Sequence, residues 1–326
     1  MSEQLRAAPL LAIVVPCYNE EEVFPYCLRA LKGLLGTMAG DGLIKADSFV
    51  LFVNDGSRDT TWKLIGDAVA ANRCVRGLQL SRNEGHQSAL MAGLAAADET
   101  VEVIVCIDAA LPDDVNALRR MVEAYRAGYD VWYGARETRE TDTWFQRTSA
   151  EVFYRLMASM GIRQVSNHAD FRLLSRRALD ALLRYSECNA YIRGLVPMVG
   201  FGSTEVYYTR AVRAAGESKY PLRKMLALAV EGITSMTIMP LRLIAGMGFC
   251  ICVLAFFATA YVLWRKFSGN TASGWPSIVL SIFFMGGVQM LSLGVIGEYI
   301  GKIYLEVKKR PRFHVESLIQ NNAPEQ

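Results

Sequence analysis

The sequence predicts an α/β domain with a doubly wound, mostly parallel sheet, followed by an interfacial amphipathic helix and a two-helix transmembrane hairpin. Three observations carry that expectation: short apolar runs alternate with helical patterns up to about residue 215, two long uncharged apolar runs come after them, and basic residues flank the outer ends of that pair. The 326 residues are 52% hydrophobic and 21% charged, with a mean hydropathy of +0.18. That is too apolar for disorder and enough for one large or two ordinary domains. A net charge of +3 argues against nucleic acid, which calls for a strongly basic face. Seven scattered cysteines without paired spacing indicate a reduced, cytosol-facing chain. Met1–Pro9 lacks the apolar stretch of a signal peptide.

Strands are expected over Ala12–Pro16, Phe49–Asn54, Val75–Leu80, Val101–Asp108 and Asp130–Tyr133, with helices over Val23–Leu35, Thr60–Ala71, Gln87–Ala97 and Asp113–Arg126. Such alternation makes a parallel sheet with helices on both faces, and ligands bind beyond the carboxyl ends of its strands. Each of those ends is polar: Cys17-Tyr18-Asn19-Glu20-Glu21, Asn54-Asp55-Gly56-Ser57, Ser81-Arg82-Asn83-Glu84-Gly85-His86, Asp108-Ala109-Ala110 and Gly134-Ala135-Arg136. Neither a dinucleotide glycine fingerprint nor a phosphate-binding P-loop is present. Three histidines without clustered His or Cys partners do not make a zinc site.

The region 216–240 is expected to be a juxtamembrane amphipathic helix, because Leu222, Met225, Leu226, Ala229, Val230 and Ile233 recur at helical spacing beside Arg223, Lys224 and Glu231. Region 241–301 is expected to hold two spans, about 243–264 and 276–298, since about 20 apolar residues cross a bilayer. Basic residues at Arg223, Lys224 and Arg242, and again at Lys302, Lys308, Lys309, Arg310 and Arg312, place both outer ends in the cytoplasm. Residues 302–326 then form a cytoplasmic tail, and the protein is multi-pass in the inner membrane with its 1–215 domain in the cytoplasm.

Pro16-Cys17-Tyr18-Asn19-Glu20, Asn54-Asp55-Gly56-Ser57-Arg58-Asp59, Ser81-Arg82-Asn83 and the acid Asp108 resemble family 2 glycosyltransferases of the GT-A fold. Ala169-Asp170-Phe171-Arg172-Leu173, Gly216-Glu217-Ser218-Lys219-Tyr220-Pro221, Gly297-Glu298-Tyr299-Ile300-Gly301 and Lys308-Lys309-Arg310-Pro311 resemble their polyprenyl-phosphate branch, bactoprenol glucosyltransferases and dolichol-phosphate mannose synthases among them. The ordered set runs from about Ala12 to Phe313.

The resemblance implies an inverting transfer of a hexose, glucose from UDP-glucose, to undecaprenyl phosphate on the cytoplasmic membrane face. The product would serve envelope glycan modification, including that of lipopolysaccharide, after a separate flippase moves it, and a homo-oligomer, a tetramer, is the family-level expectation. It assigns donor contacts to Pro16, Tyr18, Asn19, Glu20, Asp55, Arg82 and His86. Arg136, Arg172, Arg193, Arg213, Lys219 and Arg223 fall to the phosphates and the lipid acceptor, where arginine forks and lysine charges suit phosphate. Asp170 is implied as catalytic base, although a lipid phosphate with a second pKa of about 6 needs little help losing its proton. Asp108 opens the family's Asp-x-Asp, which holds Mg2+ or Mn2+ against the donor diphosphate. Here position 110 is alanine. Either another oxygen ligand such as Asp113 or Asp114 serves, or an acid has been replaced in a disabled variant; a binding-only chain that holds its ligands without transfer is the alternative. Structural readings stand beside several of these: a helix cap for Asn19 and Glu20, an Asx-turn for Asp55, a buried ion pair for Asp170 and Arg172. A processive polysaccharide synthase is disfavoured by two spans and the lack of a Gln-x-x-Arg-Trp signature.

Overall fold

A computed structural model describes residues 5–111, 116–136, 168–187, 192–208, 239–267 and 274–321. Two compact units emerge, one holding the sheet and the other the two long helices. The first strand, β1 (Leu11–Cys17), is buried along its whole length, as a strand covered on both faces must be. Helix α1 (Phe24–Gly40) comes next, then β2 (Phe49–Asn54), α2 (Thr61–Ala71), β3 (Val75–Leu80), α3 (His86–Ala95), β4 (Val103–Cys106) and α4 (Asn116–Arg126). After these come β5 (Val131–Arg136), β6 (His168–Ser175), α5 (Arg176–Leu183), α6 (Ile192–Met198) and β7 (Ser203–Tyr208). The chain closes with α7 (Met239–Phe267), α8 (Trp275–Lys308) and β8 (Val315–Gln320).

The sheet order is β7-β5-β6-β4-β1-β2-β3-β8. Strands β4, β1, β2 and β3 are mutually parallel, β5 and β7 run the same way, and β6 and β8 are antiparallel to their neighbours. The mostly parallel sheet expected from the alternation is therefore present, with two reversed strands that the pattern did not announce. Side chains alternate across it. Leu11, Ile13 and Val15 join Phe24, Leu31 and Met38 of α1 and Ile65 of α2 in one apolar layer, where Phe24 meets Phe52 edge-on with centroids 4.8 Å apart. Val14 and Val53 face the other way, so close to Gly93 of α3 that an added Cβ would lie 2.4 Å from Val14.

The stretch expected as a free tail does more than trail. Its β8 pairs antiparallel with β3, Gln79 opposite Ser317 and Gly77 opposite Ile319. A side chain at Gly77 would sit 2.9 Å from Ile319 Cγ1, so this glycine leaves the room in which the isoleucine packs. Ser81 donates its N–H to the carbonyl of His314 at 3.0 Å, and Arg312 reaches the carbonyl of Tyr185. Pairing in this way covers β3 and leaves β8 as the outermost strand on that side.

Helices α7 and α8 coincide with the two apolar runs and are 29 and 34 residues long. Among the described residues, no helix is long and apolar enough to cross a membrane. The transmembrane hairpin is accordingly not a feature that the structure shows. The expected amphipathic helix of 216–240 lies outside the described residues but for its end at Met239 and Pro240, which open α7.

Candidate active site

The carboxyl ends of β1, β2, β3 and β4 lie along one edge of the sheet because the four strands are parallel in register. The loops that leave those ends are tied to one another. After β1, Tyr18 is exposed and Asn19 adopts the left-handed region at φ 53°, which asparagine tolerates better than most residues. The Asn19 N–H donates to Ser57 Oγ at 3.0 Å, and its Oδ1 accepts from the Arg58 N–H at 2.9 Å. The Glu20 N–H donates to Thr61 Oγ1 at 3.0 Å, and the Glu21 carboxylate accepts from both the N–H and the hydroxyl of Thr60. Asp59 caps the start of α2 through the Thr61 N–H. Burial works to raise the Asp59 carboxyl, but hydrogen bonds from Thr61 and from the Glu21 N–H outweigh it and hold the group below the ordinary range. The first two loops thus form one hydrogen-bonded floor.

Asp55, expected to touch the donor, is buried at 3% exposure, and both of its oxygens are engaged. Oδ1 accepts the Glu84 N–H at 2.8 Å and Oδ2 the Gly85 N–H at 3.1 Å. Burial raises its pKa above the ordinary value, only partly opposed by those two amides; Glu84 pushes further up and His86 pulls down. Its direct work is to pin the loop that leads into α3. Backbone contact reinforces this: Gly56 sits at φ 63°, and a Cβ there would lie 2.5 Å from the Asn83 nitrogen. Only glycine fits such a conformation pressed against another backbone.

The pinned loop delivers His86 to the end of β4, with Nε2 3.6 Å from Asp108 Oδ1 and both side chains partly exposed. Asp55, His86 and Asp108 therefore share one end of the sheet. Arg82 points along its own loop, its Nε 2.7 Å from Glu84 Oε1, and is largely exposed. On the far side, β6 enters the sheet antiparallel to β4 with Arg172 opposite Cys106. Continuing that register by two residues sets the backbone of Asp170 across from Asp108, and the β5 terminus at Arg136 lies on the same edge beside β7.

Two expectations need correcting on burial. Arg172 has 0% exposure inside β6, opposite Tyr133 of β5, so it is a core charge and not a surface contact for substrate. Burial pushes the Tyr133 phenol up to about 12, with Arg172 pulling the other way. Pro16 likewise lies buried within β1, opposite Val53. Arg193 is half-buried on the short α6. Arg213, Lys219 and Arg223 lie outside the described residues, as do Asp113 and Asp114. Sequence reasoning did not single out Glu21, Ser57, Asp59 or Thr61 as builders of this floor, nor the Glu84 and Gly85 amides. Their local signal was the run of small polar residues after β2.

For a divalent cation the chain offers the Asp108 carboxylate, with the His86 imidazole beside it, and no side-chain oxygen at Ala110. Among the described residues, no group of three or more His, Cys, Asp or Glu could hold a metal ion. The residues present fit an ion that takes part of its coordination from the chain and the rest from water or a bound anion.

The sequence profile of glycosyl transferase family 2 matches residues 12–183. An uncharacterised glycosyltransferase of Bacillus subtilis, YkoT, is 46% identical over 97% of this chain and 94% of its own length. The bactoprenol glucosyl transferase of Shigella phage SfX is 36% identical over 94% of this chain and 99% of its own. Among solved structures, glucosyl-3-phosphoglycerate synthase of Mycobacterium tuberculosis superposes with a TM-score of 0.46 at 16% identity, covering 70% of this chain and 79% of that one.

Proposed function

The chain belongs to glycosyl transferase family 2 and is a glycosyltransferase, and from that premise we propose that it moves glucose from UDP-glucose to undecaprenyl phosphate at the cytoplasmic face of the inner membrane. The observation that carries this reading is the near full-length similarity to bactoprenol glucosyl transferases of Shigella phage and Escherichia coli at 34–36% identity. The acceptor phosphate oxygen attacks the anomeric carbon in line, the bond to the nucleoside diphosphate breaks, and the configuration inverts. Tyr18 is exposed at the donor edge and suits stacking on a base. Asp170, in β6 beside β4, positions the acceptor more than it removes a proton, since the phosphate is largely ionised at neutral pH. Arg136, with Arg193, Arg213, Lys219 and Arg223, supplies charge for that phosphate. A divalent cation, Mg2+ or Mn2+, held by Asp108 would offset the charge that builds on the departing diphosphate.

The acceptor's tail cannot leave the bilayer, so the enzyme must be anchored beside it. Phe249, Phe256, Phe257 and Trp264 on α7 are 64–71% exposed, and Ile282, Met290 and Leu291 on α8 are 63–72% exposed. Apolar surface this extensive calls for lipid or a partner. We take α7 and α8 as a membrane hairpin, assembled into a homo-oligomer, with a separate flippase acting on the product.

Transfer of radiolabelled glucose to undecaprenyl phosphate in detergent tests the proposal, with the chain as it stands and with Ala110→Asp. Transfer by either form supports it, and the Asp variant is expected to be faster. Ala110 favours a second reading, a chain that binds without transferring. Nucleotide-sugar stabilisation without transfer by either form would establish that reading and sink the first.

A further inference from the structure

The carboxylate that lacks its family partner has a histidine beside it. We propose that His86 is the second protein ligand of the donor-site cation, doing from the start of α3 what an acid at position 110 would do from the end of β4. The inference rests on the nucleotide-sugar reading above. Its footing is geometric: His86 Nε2 lies 3.6 Å from Asp108 Oδ1, and the two side chains are 43% and 39% exposed, open to a cation and its remaining ligands. Two donors each about 2.1 Å from a shared ion would subtend roughly 120° at that separation. Closing the gap by about half an ångström gives the right angle of an octahedral site.

The backbone that leads into this histidine is held as well. The adjacent Gly85 N–H is fixed on Asp55 Oδ2 at 3.1 Å, so Asp55 acts as a positioning residue for the neighbouring ligand. Replacing an oxygen donor by a nitrogen changes the preferred ion. Mg2+ keeps to oxygen ligands, whereas imidazole suits first-row transition cations. The chain should therefore favour Mn2+ over Mg2+ more than an enzyme with two acids would.

Pulsed electron paramagnetic resonance of the full-length protein in detergent, loaded with Mn2+ and UDP, reads this directly. The wild type should show nitrogen hyperfine modulation from a coordinated imidazole. His86→Ala should lose that modulation and weaken Mn2+ binding by at least about tenfold. Adding Ala110→Asp to His86→Ala should restore Mn2+ binding without the nitrogen signal, which also shows that the variant folds. The proposal is overturned if the wild type binds no Mn2+, if bound Mn2+ shows no directly coordinated nitrogen, or if His86→Ala binds as tightly as wild type. An all-oxygen site completed by Asp113 or Asp114 would give the second result. Failure of the transferase reading looks different: the nitrogen signal stays while no sugar moves.

Discussion

Removing the Asp55 carboxylate separates a staple from a ligand. The two amides it accepts, from Glu84 and Gly85, come from a loop about thirty residues away in sequence and are the loop's link to the β2 terminus. Each hydrogen bond to a charged group contributes about 1.5–3 kcal/mol. Burial outweighs these amides in setting the carboxyl's pKa, so about half of their summed contribution is counted. Glu84 and Gly85 are only half-buried, so their freed N–H groups would find water. The low end of the range applies, and Asp55→Ala should cost about 2–3 kcal/mol. For a chain of this size that is a fall in Tm of roughly 4–12 °C. Hydrogen exchange at the amides of Glu84 and Gly85 should speed up by about thirtyfold or more. Asp55→Asn keeps one acceptor oxygen and should lose about half as much.

Thermal unfolding in detergent and exchange mass spectrometry over residues 81–86 measure both effects. The pH dependence adds a sign. A carboxyl whose folded pKa is raised contributes stability that is full below the unfolded value of about 3.9 and is lost as pH rises through the folded value. Asp55→Asn should remove that decline. If both variants keep wild-type stability and exchange while nucleotide-sugar binding disappears, Asp55 is a direct ligand and the staple argument is wrong.

Gly56→Ala places a Cβ 2.5 Å from the Asn83 backbone at a positive φ; it should cost about 2–4 kcal/mol and abolish stabilisation by nucleotide-sugar, both read by thermal shift. Asp130 is buried and paired with Arg177 and Arg6. Burial alone would raise it, but hydrogen bonds from Arg177 and Ser175 and the two arginine charges hold it below the ordinary value. Asp130→Asn should therefore lower stability at neutral pH by about 1–3 kcal/mol, and remove the share of wild-type stability that disappears as pH falls below about 4, in acid unfolding followed by circular dichroism. Ile319→Asn, opposite Gly77 on β8, should lower Tm by several degrees and promote association through the exposed β3 edge, seen by light scattering.

How much of this was legible in the sequence depends on range. Strands β1 to β5 and helices α1 to α3 start within two residues of expectation, α1 runs five residues past its expected end, β4 is two shorter at each end, and α4 is described from Asn116. Each is announced by its own local pattern. The strands β6, β7 and β8 were not legible for the same reason in reverse. β6 carries a buried Arg172 that interrupts its apolar pattern, β7 is short and polar, and β8 alternates only weakly and pairs with a strand some 240 residues earlier. No local periodicity records a partner that distant.

The site shows the same division, and there it has a chemical consequence. Which loops reach the sheet edge is set by strand direction, so the ends that carry Tyr18, His86 and Asp108 follow from topology, whereas Asp170 lies in β6, a strand that the alternation did not announce. Which of them face a ligand depends on hydrogen bonds across loops. Asn19 bonds to Ser57 and Arg58, and Asp55 to Glu84 and Gly85. A polar side chain already engaged by loop backbone amides has less to offer a substrate without giving those bonds up, a loss of about 1–3 kcal/mol each. Chemistry at this edge therefore falls to the groups that reach solvent there: the exposed Tyr18 ring and the partly exposed His86–Asp108 pair.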